Sequence, residues 1–354
     1  MYNEMNKLKW VIIMIRFECD YNEGAAPCVM KILNETNLEQ TPGYSTDKYC
    51  DEARLIIKTL CQCEDADVHF LVGGTQANTT VISAALRPYQ GVVCAESGHI
   101  NVHETGAIEA TGHKVLTLPS GDGKISAVQI EELCRNHYAD SNHDHTVQPG
   151  MVYISFPTEN GTIYSKEELQ NISKVCKENS LMLFVDGARM GYGLMSGKND
   201  LTLKDFAEYC DVFYIGGTKQ GMLFGEAVVI TNETLKKDFR YMIKRHGGMF
   251  AKGRLLGLQF KSMLETGEYF NLAKRADEYA MKIRTAFENK GYKMLFDSYT
   301  NQQYPILPNS EIERLSKDFS FSFWCACEND TSAVRFCTSW ATKEEDINEL
   351  VNAL

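Results

Sequence analysis

Lys219 sits in "GGTKQG", a glycine-rich turn between the apolar runs "DVFYIGG" (211–217) and "GEAVVIT" (225–231). Burial penalises an ammonium, so a lysine between two buried strands suits work as a neutral amine that forms a Schiff base with a carbonyl. The plainer role is a surface hairpin whose lysine points at water. Asp186 closes the apolar run "LMLFVDGA" (181–188), and Arg189 follows three residues later. A carboxylate at that depth is costly without a cation, and a protonated pyridine nitrogen would be such a partner. A structural turn cap is the simpler use. Gly73, Gly74 and Thr75 in "LVGGTQANTT" stand where a strand passes into a helix. N–H groups and a hydroxyl at a helix N-terminus suit a phosphate, although glycines also serve tight turns. The stretch matches neither the Walker nor the dinucleotide glycine pattern. His99 in "AESGHINVHETGA" also follows a strand, where an imidazole can stack on an aromatic ring; alone it reads as structural. Together, a phosphate turn, an acid for a ring nitrogen and a lysine for an aldehyde describe pyridoxal phosphate.

The elements that must position these residues alternate along the chain. "HFLVGG" (69–74), "GVVCAE" (91–96), "HKVLTLP" (113–119), "GMVYISFP" (150–157), "LMLFVDGA", "DVFYIGG" and "GEAVVIT" read as strands. "TQANTTVISAAL", "HINVHETGAIEATG" and "SKEELQNISKVCKENS" (165–180) lie between them, the last with a capping box of Ser165 and Glu168. Such interleaving predicts an α/β domain with a mainly parallel sheet covered on both faces, its last two strands close enough for an antiparallel hairpin. Ligands collect at the carboxyl ends of such sheets. Near residue 250 the pattern changes to two long helices, "GMFAKGRLLGLQFKSMLETG" and "YFNLAKRADEYAMKIRTAFENKG". The strands "KDFSFSFWCAC" and "SAVRFCTSW" and the helix "TKEEDINELVNAL" follow. We therefore expect a large domain over 24–250 and a smaller α+β domain formed by 1–23 with 251–354. "NHYADSNHDHTVQPG" reads as a polar loop.

Composition narrows the function classes. A formal charge of −11 over 354 residues argues against nucleic acid or an anionic membrane as partner. The most apolar early run, "WVIIMI" (Trp10 to Ile15), is too short to span a bilayer or form a signal core and reads as a short strand. The cytoplasm is the expected compartment. The twelve cysteines mostly sit in apolar stretches and read as free thiols. The two C-x-C pairs, Cys61/Cys63 and Cys325/Cys327, lack zinc spacing. His99 and His103 are a conceivable metal pair, but no third ligand is evident and Glu104 lies off their face, so no metal is expected.

The stretches "FECDYNEGAAP", "GYSTD", "GGTQAN", "GHINVHETGA", "PTENGTIYS", "FVDGARMGYGL", "YIGGTKQGMLFGEAVV", "AKGRLLGLQF" and "AVRFCTSW" carry a resemblance over nearly the full length. The chain resembles the threonine aldolase family, in the β-eliminating lyase group of fold-type I pyridoxal-phosphate enzymes. That resemblance implies Lys219 as the Schiff-base lysine, Asp186 on the pyridine nitrogen, Arg189 on the phenolate oxygen and His99 over the ring. It implies Gly74, Thr75 and Gln76 at the phosphate, and Arg335 at the substrate carboxylate. Tyr44 and Lys252 fall in segments that approach a neighbouring subunit's site, which implies a homodimer or homotetramer with shared sites. Two departures stand out. Cys19 replaces a serine that helps bind the carboxylate, and a thiol is a poor donor. The histidine of an E-N-T-H stretch is missing, with Phe156, Pro157 and Thr158 around its place. His99 or a water would then accept the hydroxyl proton, and Thr158 would orient the hydroxyl. The implied activity is cleavage of a β-hydroxy-α-amino acid (threonine, allo-threonine or phenylserine-like) to glycine and an aldehyde. β-Elimination or transamination would use the same lysine and aspartate, and a catalytically idle binding protein of this fold is a further alternative.

Overall fold

A computed structural model describes residues 14–354. The apolar runs pair into a seven-stranded sheet in the order Asp67–Leu71, Glu226–Ile230, Val212–Gly216, Met182–Asp186, Gln148–Ser155, Gln90–Ala95, Val115–Leu118. Glu226–Ile230 runs antiparallel to both its neighbours, so the expected hairpin with Val212–Gly216 forms. The pairings from Val212–Gly216 outward to Val115–Leu118 are parallel. This is the mainly parallel α/β sheet that the strand and helix spacing predicts.

Both faces of the sheet are covered, as near-continuous apolar strands require. One face holds Val152, Val185, Phe213 and Val229 against helices that include Lys48–Cys61, Lys166–Glu178 and Arg254–Glu265. The other holds Tyr153, Phe184, Tyr214 and Val228 against Gly74–Ala85 and Phe239–Arg245. Asp47 caps Lys48–Cys61 by accepting from the amides of Tyr49 and Cys50. The expected capping box of Ser165 and Glu168 closes with bonds of 3.2 and 2.8 Å.

A second core gathers Phe17, Ile283, Phe287, Leu315, Phe336 and Leu350. Its antiparallel sheet joins Ile306–Pro308, Thr331–Cys337 and Ser322–Ala326, and Ile15–Arg16 pairs in parallel with Phe319–Ser320. Of the run "WVIIMI", Trp10 to Ile13 lie outside the described residues, while Ile15 is in this short strand. The cores divide inside the helix Glu268–Asn289, because Tyr269 and Leu272 belong to the large core and Ile283 and Phe287 to the small one.

Three elements differ from the sequence reading. The helical run expected at "HINVHETGAIEATG" is a single turn, His99–Val102, plus a 3-10 turn at Glu109–Thr111. Thr105 and Gly106 interrupt it with φ of 53° and 72°. The run from Gly248 becomes helical only at Arg254. Gly253 is pressed on Ser45, where an added Cβ would lie 2.3 Å from Oγ, so this stretch follows a neighbouring segment instead of a helix axis. Within the polar loop, Gln148 and Pro149 already belong to the Gln148–Ser155 strand.

Candidate active site

The carboxyl ends of the parallel strands open into a cavity of about 310 Å³, within the roughly 300–1,000 Å³ usual for small-molecule sites. Lys219 reaches it from a turn that is tied down at several points. The Gly217 and Thr218 amides donate to the Gly225 carbonyl at 2.8 and 3.2 Å, and the Thr218 hydroxyl accepts from the Gly225 amide at 3.1 Å. Tyr192 Oη donates to the Lys219 carbonyl at 2.6 Å, and Tyr269 Oη to that of Gly216 at 2.8 Å. The backbone is fixed while the amine is left free: among the described residues no hydrogen bond or ion pair engages Lys219 Nζ. Burial and the nearby Arg189 charge push its pKa down, against the opposing pull of Asp20, Asp186 and Glu226. A lysine in that setting suits work as a neutral amine.

Asp186 ends its strand facing the same cavity. Its Oδ1 accepts from Tyr214 Oη and, at 2.9 Å, from the Ala188 amide. Its Oδ2 accepts from Tyr153 Oη and, at 3.2 Å, from Asn78 Nδ2. Burial alone would raise this carboxyl, but the His99 charge and these donors outweigh it and hold it below the usual range. The chain turns sharply after Asp186, and Gly187 allows it. A Cβ there would lie 1.9 Å from the Tyr214 carbonyl.

Asn78 also donates to Glu104 Oε1 at 2.7 Å, and the same oxygen meets His99 Nδ1 at 2.8 Å. Glu104 is therefore the partner of His99, although by helix spacing it lay off the His99–His103 face. Burial disfavours the imidazolium, but Glu104 and Asp186 prevail and raise the His99 pKa. Among the described residues no group of three or more histidine, cysteine or acidic side chains is placed to hold a metal.

Arg189 is gripped by Asp20, with Nε to Oδ2 at 2.7 Å and Nη2 to Oδ1 at 3.0 Å. Asn301 Nδ2 donates to the same Oδ2 at 2.9 Å, so one carboxylate ties together three segments distant in sequence. Across the cavity, Gly73, Gly74 and Thr75 line the start of the helix Gly74–Ala85, whose N-cap has no side-chain bond. Its first amides have no intrahelical acceptor and belong to residues that line the cavity, which suits an anion.

The structure gathers Lys219, Asp186, Arg189, His99, Gly74 and Thr75 around one cavity. It does not bring the other expected residues to its wall. Gln76 spends its side chain locally, accepting from the Val72 amide at 3.1 Å and donating to the His246 carbonyl at 3.1 Å. Thr158 is turned away, its hydroxyl 2.7 Å from that of Thr162. Cys19 Sγ donates to Asn22 Oδ1 at 3.0 Å. Arg335 is held by Gln302 Oε1 at 3.2 Å and by the Glu18 carbonyl at 2.9 Å. Two acidic residues that sequence reasoning passed over do line it, Glu159 and Glu226. Glu226 accepts from the Thr218 hydroxyl at 3.0 Å, and burial pushes its carboxyl up to about 8. Both stand at the edge of an apolar run, the same signal that singled out Asp186. Asp20, Tyr153 and Tyr214 gave no comparable signal.

Fold and site together define a fold-type I pyridoxal-phosphate enzyme. A free amine, an anionic aspartate and an uncapped helix start converge on one cavity sized for the cofactor, so the residues present fit that group. The beta-eliminating lyase family model matches residues 41–308, and the chain belongs to that family. It is 30% identical over 342 residues to a low specificity L-threonine aldolase from a Pseudomonas species, covering 95% of each chain. The structure of threonine aldolase from Leishmania major superposes with a TM-score of 0.93 at 43% identity, covering 96% of this chain and 98% of that one. Cystalysin from Treponema denticola, whose structure contains pyridoxal 5'-phosphate, shares the fold at 16% identity and a TM-score of 0.70, over 96% and 90% of the two chains.

Proposed function

We propose that this chain is a pyridoxal-phosphate aldolase that cleaves a β-hydroxy-α-amino acid such as threonine, allo-threonine or phenylserine to glycine and an aldehyde. The observation that carries this reading is the unpartnered Lys219 amine sharing a cavity with an Asp186 held anionic. In this reading Lys219 holds the cofactor aldehyde, Asp186 the pyridine nitrogen, Arg189 the phenolate oxygen and His99 the ring face. Gly74 and Thr75 hold the phosphate through the helix start. Bound there, pyridoxal phosphate supplies an electron sink for the carbon that loses the aldehyde. The chain selects which bond breaks: Arg335, reached from the small lobe, fixes the substrate carboxylate and thereby the orientation of the Cα–Cβ bond.

We place the functional unit as a homodimer or homotetramer in the cytoplasm. Tyr44 and Lys252 lie in adjoining surface segments, the Tyr44 amide donating to the Ala251 carbonyl at 3.2 Å, and so present one patch to a second copy. All twelve cysteines are free, which suits a reducing compartment. Among the described residues no helix is long and apolar enough to cross a membrane.

The test is product analysis of cofactor-loaded protein with threonine, allo-threonine and phenylserine. Glycine and the matching aldehyde in equal amounts support the reading. Keto-acid formation without glycine would move the chain to elimination or transamination, and no turnover would leave a binding role.

A further inference from the structure

Cleavage to an aldehyde needs an acceptor for the β-hydroxyl proton, and the cavity wall offers four carboxylate or imidazole candidates. Asp186 has both oxygens engaged by four donors. Glu226 has one oxygen bonded to Thr218 and the other buried away from solvent, so neither is open to a substrate hydroxyl. His99 has Nδ1 bound to Glu104 and, in the reading above, its ring is given over to the cofactor face. Glu159 differs from all three. Its Oε1 accepts from Ser155 Oγ at 2.7 Å and from the His99 amide at 2.9 Å, which fixes the carboxylate. Among the described residues nothing donates to its Oε2, and that oxygen is not one of the buried atoms sealed from solvent.

We propose that Glu159 is the general base for the β-hydroxyl, a role that rests on the aldolase reading above. In cleavage the substrate O–H bond breaks and its proton passes to Glu159 Oε2. The oxygen's electron pair closes the aldehyde C=O as the Cα–Cβ bond breaks, and that bond's pair stays with the glycine carbon, which later takes a proton. In the reverse direction Glu159 returns its proton to the new hydroxyl. Geometry comes first here: Oε1 is held by two donors, while Oε2 has none among the described residues and belongs to a residue that lines the cavity. Basicity agrees with it, since burial pushes the carboxyl up from the usual range against the opposing Ser155 hydrogen bond, while the Asp186 charge adds to the rise and His99 subtracts from it. A base is most effective when its pKa approaches the working pH.

Glu159→Gln tests this, because the amide oxygen can still accept from Ser155 and His99 and so keeps any positioning role. The readouts are cofactor loading by visible absorbance, the glycine dissociation constant, exchange of the glycine α-hydrogen in deuterium oxide, and threonine cleavage. Glycine exchange uses the same electron sink but has no β-hydroxyl. We expect kcat for cleavage to fall by about 10²–10³, within the range for loss of a general base, with the other three readouts within about threefold of the parent. Cleavage within about threefold of the parent would overturn the proposal, as would a parallel loss of glycine exchange, which would mark a positioning role. A parent protein that exchanges glycine but cleaves no β-hydroxy amino acid would instead overturn the aldolase reading itself.

Discussion

Asp20 holds the Nε–Nη2 edge of the Arg189 guanidinium and accepts from Asn301 as well, with none of its own side chain exposed. Replacing it by asparagine would leave a buried cation without its counter-charge, which costs about 3–5 kcal/mol. Burial raises the Asp20 pKa but the Arg189 charge more than offsets that, so the folded value lies below the unfolded one of about 3.9. The carboxylate therefore contributes its stability above about pH 4 and loses it as pH falls through the folded pKa. In urea unfolding, the gap between the parent protein and Asp20→Asn should be full at pH 7 and shrink below about pH 4. A gap that grows on acidification would contradict this. Asp20 was hard to read from sequence because its partner is 169 residues away. Lys219 and Asp186 were legible because each interrupts or ends an apolar run, where a charge needs a reason. Tyr153 and Tyr214 were not, since a tyrosine inside a strand reads as one more apolar residue and its hydroxyl partner is set only by the fold.

Two turns and one helix start build the site, and each depends on close backbone approach. Gly187 is the sharpest case: the chain leaving Asp186 crosses Val212–Gly216 with no room for a side chain. Gly187→Ala should lower stability by at least the ~1–3 kcal/mol typical of overpacking, and should weaken cofactor capture because Asp186 is displaced with the turn. Gly197→Ala, where an added Cβ meets only open space, should stay within about 0.5 kcal/mol of the parent. Thermal unfolding of the two variants separates these outcomes, and equal shifts would contradict the packing account. Strand and helix positions were readable because apolar runs and the capping box are local signals. The "HINVHETGAIEATG" stretch was not, since its polar spacing resembles a helix while Thr105 and Gly106 turn the chain after one turn of helix. The helix Arg254–Glu265 gave a clear periodicity, but periodicity does not say which core a helix joins.

At the scale of the molecule, the site draws on both lobes. The C-terminal part of the chain supplies Asn301 to the Asp20–Arg189 cluster, while Arg335 on the strand Thr331–Cys337 stands off the cavity wall. If Arg335 binds the substrate carboxylate, Arg335→Ala should raise KM roughly 10–100-fold, the worth of a lost charged hydrogen bond, while cofactor loading is unchanged. Loss of loading with an unchanged KM would contradict that role. One continuous helix, Glu268–Asn289, serves two apolar cores, so local spacing does not mark where one core gives way to the other. The whole account stands on Lys219 as the residue that captures the cofactor. Borohydride reduction of protein loaded with pyridoxal phosphate, followed by peptide mass mapping, tests that directly. The account predicts a single reduced adduct on Lys219; an adduct on another lysine, or none, would contradict it.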